Sequence, residues 1–311
     1  MRGPLATPEN LAAICRHGEE LGFSYVYVSD HIVIPRDIDS RYPYNESGEW
    51  GGGGTGEWLE QLTVLSYLAG QTSSLRLLTS VMVLPYRSPV YVANVLSTID
   101  VLSGGRLTLG CGVGWMSEEF KALGAPPFEE RGTVGSEYIR ALKELWTSDA
   151  PEFAGKYCSF SNITFAPKPT QKPHPPIWVG GESDPALKRA ALLGDGWYPI
   201  GNNARFPLRS PGQISRAVER LHQYAEAGNR DPAAIDLAFS ASWYDERTKQ
   251  TAPEGGRLSF TGNPEQIAED ITAFAEVGIR HLMLNLQTPT LQETQERMRY
   301  FANEVTPLVK A

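Results

Sequence analysis

The sequence predicts an α/β fold built on a parallel sheet, and three observations carry that expectation. Helical and strand-like stretches alternate along all 311 residues. A helix–glycine–strand joint near the start, Glu20-Leu21-Gly22-Phe23, is repeated near the end as Glu276-Val277-Gly278-Ile279. No break in composition divides the chain. Strands that alternate with helices pair in parallel and lie buried between helical layers. An open doubly wound sheet and a closed barrel both meet that description. Strands spread over the full length favour a single (β/α)8 barrel domain over residues 1–311, an ordinary length for one.

The elements follow in order. Thr7 is a plausible N-cap, Pro8 suits the first helical position and Glu9 lies in the first turn, with Leu11, Ile14, Cys15, Gly18 and Leu21 on one face. Gly22 ends that helix. The β-branched and aromatic run Phe23 to Val28 then reads as a buried strand ending at Ser29-Asp30-His31. Leu75 to Leu84 is a long apolar strand candidate. Arg106 to Gly112 follows the turn Ser103-Gly104-Gly105. Pro176 to Gly180, Gly196 to Ile200, Asp236 to Ala241 and Ile279 to Leu284 complete seven strands. Helical spacing covers Leu59 to Leu68, Pro89 to Leu102, Thr133 to Thr147, Ala186 to Leu193, Ile214 to Ala227, a helix after Asn263-Pro264, and Leu291 to Val309.

Seven strands are one short of a barrel. The expectation is a first strand missing upstream of Met1, from a misassigned or trimmed start, which leaves two unpaired edges. Three segments read as insertions: 35–57, with Tyr42, Tyr44, Trp50 and the glycines 51–54; the proline-rich 151–176, expected to form a hairpin and an extended lid; and the polar loop 245–261.

Composition narrows the function classes. The formal net charge is −8, so a broad basic footprint for nucleic acid is not expected. No run approaches the roughly 18 apolar residues of a membrane span, and the first ten residues lack a signal-peptide core. A cytoplasmic protein is the expectation. Cys15, Cys111 and Cys158 are too scattered for a disulfide framework or a C-x-x-C site, and the five histidines never fall at metal-ligand spacing, so no metal is expected. Gly110-Cys111-Gly112-Val113-Gly114 misses the dinucleotide fingerprint, because Trp115 stands where the third glycine belongs.

In a parallel α/β barrel, chemistry gathers at the C-terminal ends of the strands. That rule selects Asp30-His31, Ser80-Val81, Gly112 to Trp115, Gly180-Gly181, Tyr198-Pro199 and Asn285. His31 is the best acid or base among them by residue type. The glycines at two strand ends allow close backbone approach to a planar, phosphate-bearing group, and Gly180-Gly181 before a helix offers amides for an anion.

Ser29-Asp30-His31, Gly105 to Trp115 (GRLTLGCGVGW), Pro176 to Gly181 (PIWVGG) and Gly194-Asp195-Gly196-Trp197 resemble, in order, the bacterial luciferase-like flavin and deazaflavin oxidoreductases. The likeness runs from about Pro4 to the C-terminus and is nearest to the small branch that uses coenzyme F420. The resemblance implies a barrel with the cofactor ring across its mouth and a cis peptide bond at Ser80-Val81. It implies cofactor contacts from Asp30, Ser80, Val81, Gly112, Val113 and Gly114, with Gly180 and Gly181 near the phosphate tail. His31 becomes the catalytic proton donor or substrate anchor, and Trp50, Trp58 and Trp115 wall the substrate pocket. One branch of the family, which oxidises a sugar phosphate, carries glutamate where Trp115 stands, so that reaction is not expected. The leading expectation is hydride transfer between F420 and a small organic substrate, by a homodimer. An FMN-dependent monooxygenase is the alternative, and a flavin-binding protein without catalysis is the third reading.

Overall fold

The computed structural model describes residues 3, 5–52 and 58–310. Pro4, and Gly53 to Glu57 within the first expected insertion, lie outside the described residues. The chain forms two compact units. The first takes the residues up to Cys15 together with 24–42 and 47–178; the second takes 16–23, 43–46 and the chain from Val179 onward.

Helix α1 (Pro8–Glu20) has its residues up to Cys15 in the first unit; Gly22, at φ 79°, follows it in sequence, and strand β1 (Tyr25–Val28) belongs to the first unit. Only glycine adopts that left-handed turn at little cost. Helix α2 (Gln61–Gln71) begins two residues later than its apolar pattern, because Glu60 caps it by accepting the Thr63 amide. The apolar run 75–84 is not one strand. It divides into β2 (Arg76–Thr79) and β3 (Met82–Val83), with a cis peptide bond at Ser80–Val81 between them, as the resemblance implies. A short 3-10 turn, Leu84–Tyr86, leads to helix α3 (Pro89–Leu102) and strand β4 (Leu107–Gly112).

Strand β2 pairs in parallel with β1 (Val28 opposite Thr79) and with β4. Strand β3 also pairs with β4, placing Val83 opposite Gly112. Arg106 fixes the joint beneath these strands: its guanidinium donates to the carbonyls of Ala69, Thr72 and Leu75. It thereby satisfies carbonyls that the end of α2 leaves open. Leu65, Leu68, Leu75, Leu77, Leu78, Met82 and Leu109 are sealed from solvent between helices and sheet.

After β4 comes a seven-residue helix, α4 (Ser117–Leu123), too short for its periodicity to show in the sequence. Helix α5 (Arg131–Thr147) follows, then the hairpin of β5 (Phe153–Ala154) and β6 (Ser159–Phe160). The hairpin matches the expectation; the lid is corrected. Lys168 donates to the carbonyls of Leu145 and Ser148 at the end of α5, and Gln171 bonds Asp100 and the Leu107 carbonyl, where β4 begins. The segment is therefore fastened at the N-terminal ends of the strands, away from the face where chemistry gathers. The Pro176 carbonyl, just before β7 (Ile177–Val179), accepts from Leu109.

In the second unit, the Val179 carbonyl accepts from Tyr198, beyond β8 (Gly196–Trp197). Strand β9 (Asp236–Ala241) pairs in parallel with β8 and with β10 (His281–Leu284). Helices α6 (Asp184–Leu193), α7 (Pro211–Ala227) and α8 (Pro264–Glu276) intervene, and α8 opens with a full capping box between Asn263 and Gln266. Phe239, Phe260 and Phe274 form the aromatic centre, with Phe260 and Phe274 ring centroids 4.7 Å apart. The expected helix 291–309 is shorter: α9 (Leu291–Tyr300) gives way to a π turn over Phe301–Val305 and a 3-10 turn over Thr306–Leu308. Pro307 has no N–H to continue the ladder. Among the described residues no helix is long and apolar enough to cross a membrane.

Candidate active site

The register of the first unit brings four strand ends together. Val28 lies opposite Thr79, so Asp30-His31 and Ser80-Val81 extend from neighbouring strands, and Gly112 sits beside Val83 on the next. The Ser80 amide donates to the Val28 carbonyl at 2.7 Å, holding the cis-bonded segment against β1.

His31 is the centre of this end. Its Nδ1 stands 2.7 Å from Oε2 of Glu119, whose side chain is fully buried. The other carboxylate oxygen accepts the amides of Ile32, at 2.7 Å, and Val33. The Tyr86 hydroxyl donates to Oε2 at 2.9 Å. Burial, with the Glu119 charge beside it, pushes the Tyr86 phenol far above its ordinary range. Tyr86 packs with Val83 and Phe120 in a small apolar cluster under Ile32. Among the described residues, Nε2 of His31 has no hydrogen-bond partner.

Aromatic rings frame the imidazole. Trp50 lies at 4.6 Å between ring centroids and Trp58 at 4.8 Å. Trp115 meets Trp50 edge-on at 5.7 Å, and Tyr42 meets Trp115 at 5.1 Å. Of the three tryptophans expected to wall a pocket, Trp50 and Trp58 thus touch His31, and Trp115 joins them through Trp50. The 35–57 segment that delivers Trp50 is tied to α4 by Glu118, which accepts the amides of Asp39 and Ser40. Partial burial works to raise the Glu118 carboxyl, but the bonds from Ser40 and the neighbouring amides win and hold it at about 2.

Asp30, expected as a cofactor contact, turns its side chain to protein partners. Its side chain is fully buried and committed: it accepts the Val83 amide at 2.9 Å and two parallel bonds from Arg87 at 2.8 Å. Arg87 also reaches Glu60 at 2.9 Å. Such forked pairing is among the stronger side-chain contacts. Asp30 therefore braces the end of β1 against the segment after the cis bond.

Two glycines here are required by the protein's own packing. A Cβ on Gly112 would stand 2.8 Å from Cγ2 of Val81. At Gly114, where φ is 80°, it would meet Val83 and Phe120 at 2.8 Å. Ser80, Val81, Val113 and both glycines remain half-buried and uncharged. The patch offers apolar area, backbone polar groups and one imidazole, a chemistry that suits a flavin or deazaflavin ring. Among the described residues no cluster of metal-ligating side chains is present.

The second unit holds the other glycine pair. Gly181 has φ 104°, and a Cβ there would stand 2.9 Å from Ala186, so this turn needs glycine to bring α6 close. Its carbonyl accepts the Trp197 indole at 2.9 Å. Beyond it Glu182 is buried, accepting the Ile200 amide at 2.9 Å and the Asn203 side chain at 2.7 Å. Burial raises its carboxyl to about 7 despite those bonds. Asp184, in the first turn of α6, is paired with Arg220 and Tyr224. The expected anion position at Gly180-Gly181 therefore has acidic neighbours.

Sequence reasoning missed Glu119, Tyr86, Arg87 and Glu182. The one available signal was Ser117-Glu118-Glu119, an acidic pair opening a helix directly after a strand-end glycine. Tyr86 and Arg87 lie between the expected strand 75–84 and the expected helix 89–102, and only the fold shows what they face.

The sequence profile of the luciferase-like monooxygenase family matches residues 1–255. An FMNH2-dependent dimethylsulfone monooxygenase of Pseudomonas putida is 31% identical, over 81% of this chain and 78% of that protein. Among solved structures, an F420-dependent secondary alcohol dehydrogenase in complex with an F420–acetone adduct superposes with a TM-score of 0.75 at 19% identity, covering 99% of this chain and 96% of that one. The monooxygenase RslO1 from Streptomyces bottropensis gives 0.74 at 20% identity, covering 98% and 96%. At these identities the structural likeness shows the fold, the mostly parallel sheet with flanking helices of the luciferase-like barrels. The chain belongs to the luciferase-like monooxygenase family of oxidoreductases.

Proposed function

We propose that the protein moves a hydride between coenzyme F420 and a small organic substrate, with His31 giving or taking the accompanying proton. One observation carries this reading: His31 is held by Glu119 on one nitrogen while its other nitrogen has no protein partner among the described residues, inside a frame of Trp50, Trp58 and Trp115.

When bound, the cofactor supplies the hydride chemistry, and the protein binds, orients and manages the proton. Val81, Gly112, Val113 and Gly114 would hold the ring on the uncharged patch. The tryptophans exclude water and hold the substrate's apolar part. His31 hydrogen-bonds the substrate oxygen and exchanges its proton through Nε2. A proton exchanged this way contributes about 10²–10⁴ in rate.

A second reading is favoured by a specific observation, the 31% identity to an FMNH2-dependent monooxygenase. The same residues would then serve a reduced flavin that meets oxygen. The test is turnover under two regimes. Reduced F420, without oxygen, is offered to a panel of small ketones, aldehydes and activated alkenes; reduced FMN is offered with oxygen. F420 oxidation that falls at least 100-fold in His31→Gln, with binding retained, supports the proposal. Substrate-dependent oxygen uptake with FMN, and none of the former, moves the protein to the second reading.

A further inference from the structure

We infer that Glu119 is a positioning residue that fixes the tautomer and the turn of His31, and that Tyr86 holds Glu119 in place for that task. The inference rests on the reading of His31 as the proton-exchanging group.

The geometry is specific. A carboxylate accepts hydrogen bonds and, without a proton, donates none. The 2.7 Å contact with Nδ1 therefore places the imidazole proton on Nδ1 and leaves the Nε2 lone pair toward the open side. Without a partner, an imidazole ring can rotate about χ2 and exchange its two nitrogens. Here rotation would break that bond and lose the fit against Trp50 and Trp58. Glu119 is itself fully used: Oε1 takes the amides of Ile32 and Val33, and Oε2 takes Nδ1 of His31 and the hydroxyl of Tyr86. The two amides belong to the residues directly after His31, so one carboxylate sets both the ring and the backbone that carries it. Tyr86 is buried and follows the cis-bonded segment through the 3-10 turn Leu84–Tyr86. Its hydroxyl links the His31 support to the strand pair that carries Val81 and Gly112. A side-chain partner that orients a ligating or catalytic histidine is the general pattern of second-layer support.

The test begins with the protein alone, with no cofactor. Uniform 15N-histidine labelling and long-range 1H–15N correlation spectra report which ring nitrogen carries the proton, and His31→Gln identifies the His31 signals among the five histidines. The expected wild-type pattern, in the neutral form, is a protonated Nδ1 and a bare Nε2. Glu119→Gln, whose amide can donate as well as accept, is expected to mix or reverse that pattern. It is also expected to lower kcat about 10–100-fold with KM within threefold. Tyr86→Phe keeps the tautomer and lowers kcat about threefold to tenfold. A wild-type His31 protonated on Nε2 overturns the inference whether or not any variant folds. So does an Nδ1–H tautomer that survives unchanged in a folded Glu119→Gln protein. Because the spectra need no cofactor, failure of the F420 reading leaves this test intact.

Discussion

Asp30 and Arg87 face each other through two parallel hydrogen bonds of 2.8 Å, with the Asp30 side chain fully buried. Removing one member strands the other's charge in a dry setting. Arg87→Met is expected to lower unfolding free energy by about 3–5 kcal/mol. Asp30→Asn added to it should recover part of that loss, since a neutral amide can still meet the Val83 amide. Urea titration of the two variants checks this; equal stability of Arg87→Met and the wild type would mean the pair braces nothing.

Gly112 leaves room for the Val81 side chain, and the proposed cofactor position rests on that fit. Gly112→Ala places a Cβ 2.8 Å from the Val81 side chain, so Val81 must move. Affinity for the cofactor ring is expected to fall at least tenfold while the fold persists. Gly70→Ala is the control, in the last turn of α2 with open space around it. It should bind normally and gain up to about 1 kcal/mol from helix propensity. Calorimetric binding and thermal melts separate the two.

Trp50 and Trp58 press on His31 from two sides. Trp50→Ala removes one ring and loosens the imidazole, an aromatic contact worth about 0.5–1.5 kcal/mol beyond its buried area. The expected result is a kcat/KM lower by about tenfold or more, with little change in melting temperature because Trp50 is only half-buried. Steady-state kinetics with circular dichroism melts would show it.

Glu182 gives a pH signature. Its carboxyl is raised to about 7 in the folded chain, whereas an unfolded glutamate titrates near 4.5. Between those values the folded state holds the extra proton. Its stabilising effect is therefore full below about pH 4.5 and is lost as pH rises through 7. Glu182→Gln keeps the neutral shape and removes this dependence. The variant should gain on the wild type by roughly 2–3 kcal/mol between pH 4.5 and 8, since each pH unit separating the folded and unfolded titrations is worth about 1.4 kcal/mol. A constant difference in unfolding free energy across that range would contradict the assignment.

The fold was legible because burial writes itself into apolar runs and glycine stops. Asp236–Ala241 and Pro89–Leu102 fall where the pattern places them. Short or interrupted elements were not. Helix α4 spans two turns, and no periodic face develops over that length, yet it carries Glu119. The run 75–84 is mostly apolar, and its one polar pair, Thr79-Ser80, falls where β2 ends, but two polar residues do not by themselves end a strand. Trp50 and Trp58 follow β1 in the loop before α2 and not at a strand end, whereas His31, beside their rings, stood out through residue type and strand-end position. Asp30 shares that position, and only its partners, Val83 and Arg87, show that it faces inward. Carboxylates that serve the interior and those that serve a ligand look alike in a sequence.

The most direct measurement is a binding titration of the purified protein with coenzyme F420 and, separately, with FMN, followed by fluorescence and repeated on Gly112→Ala. The account predicts saturable F420 binding at low micromolar concentration, FMN binding at least tenfold weaker, and loss of F420 binding in the variant. Tighter binding of FMN than of F420, or F420 binding indifferent to Gly112, would contradict it.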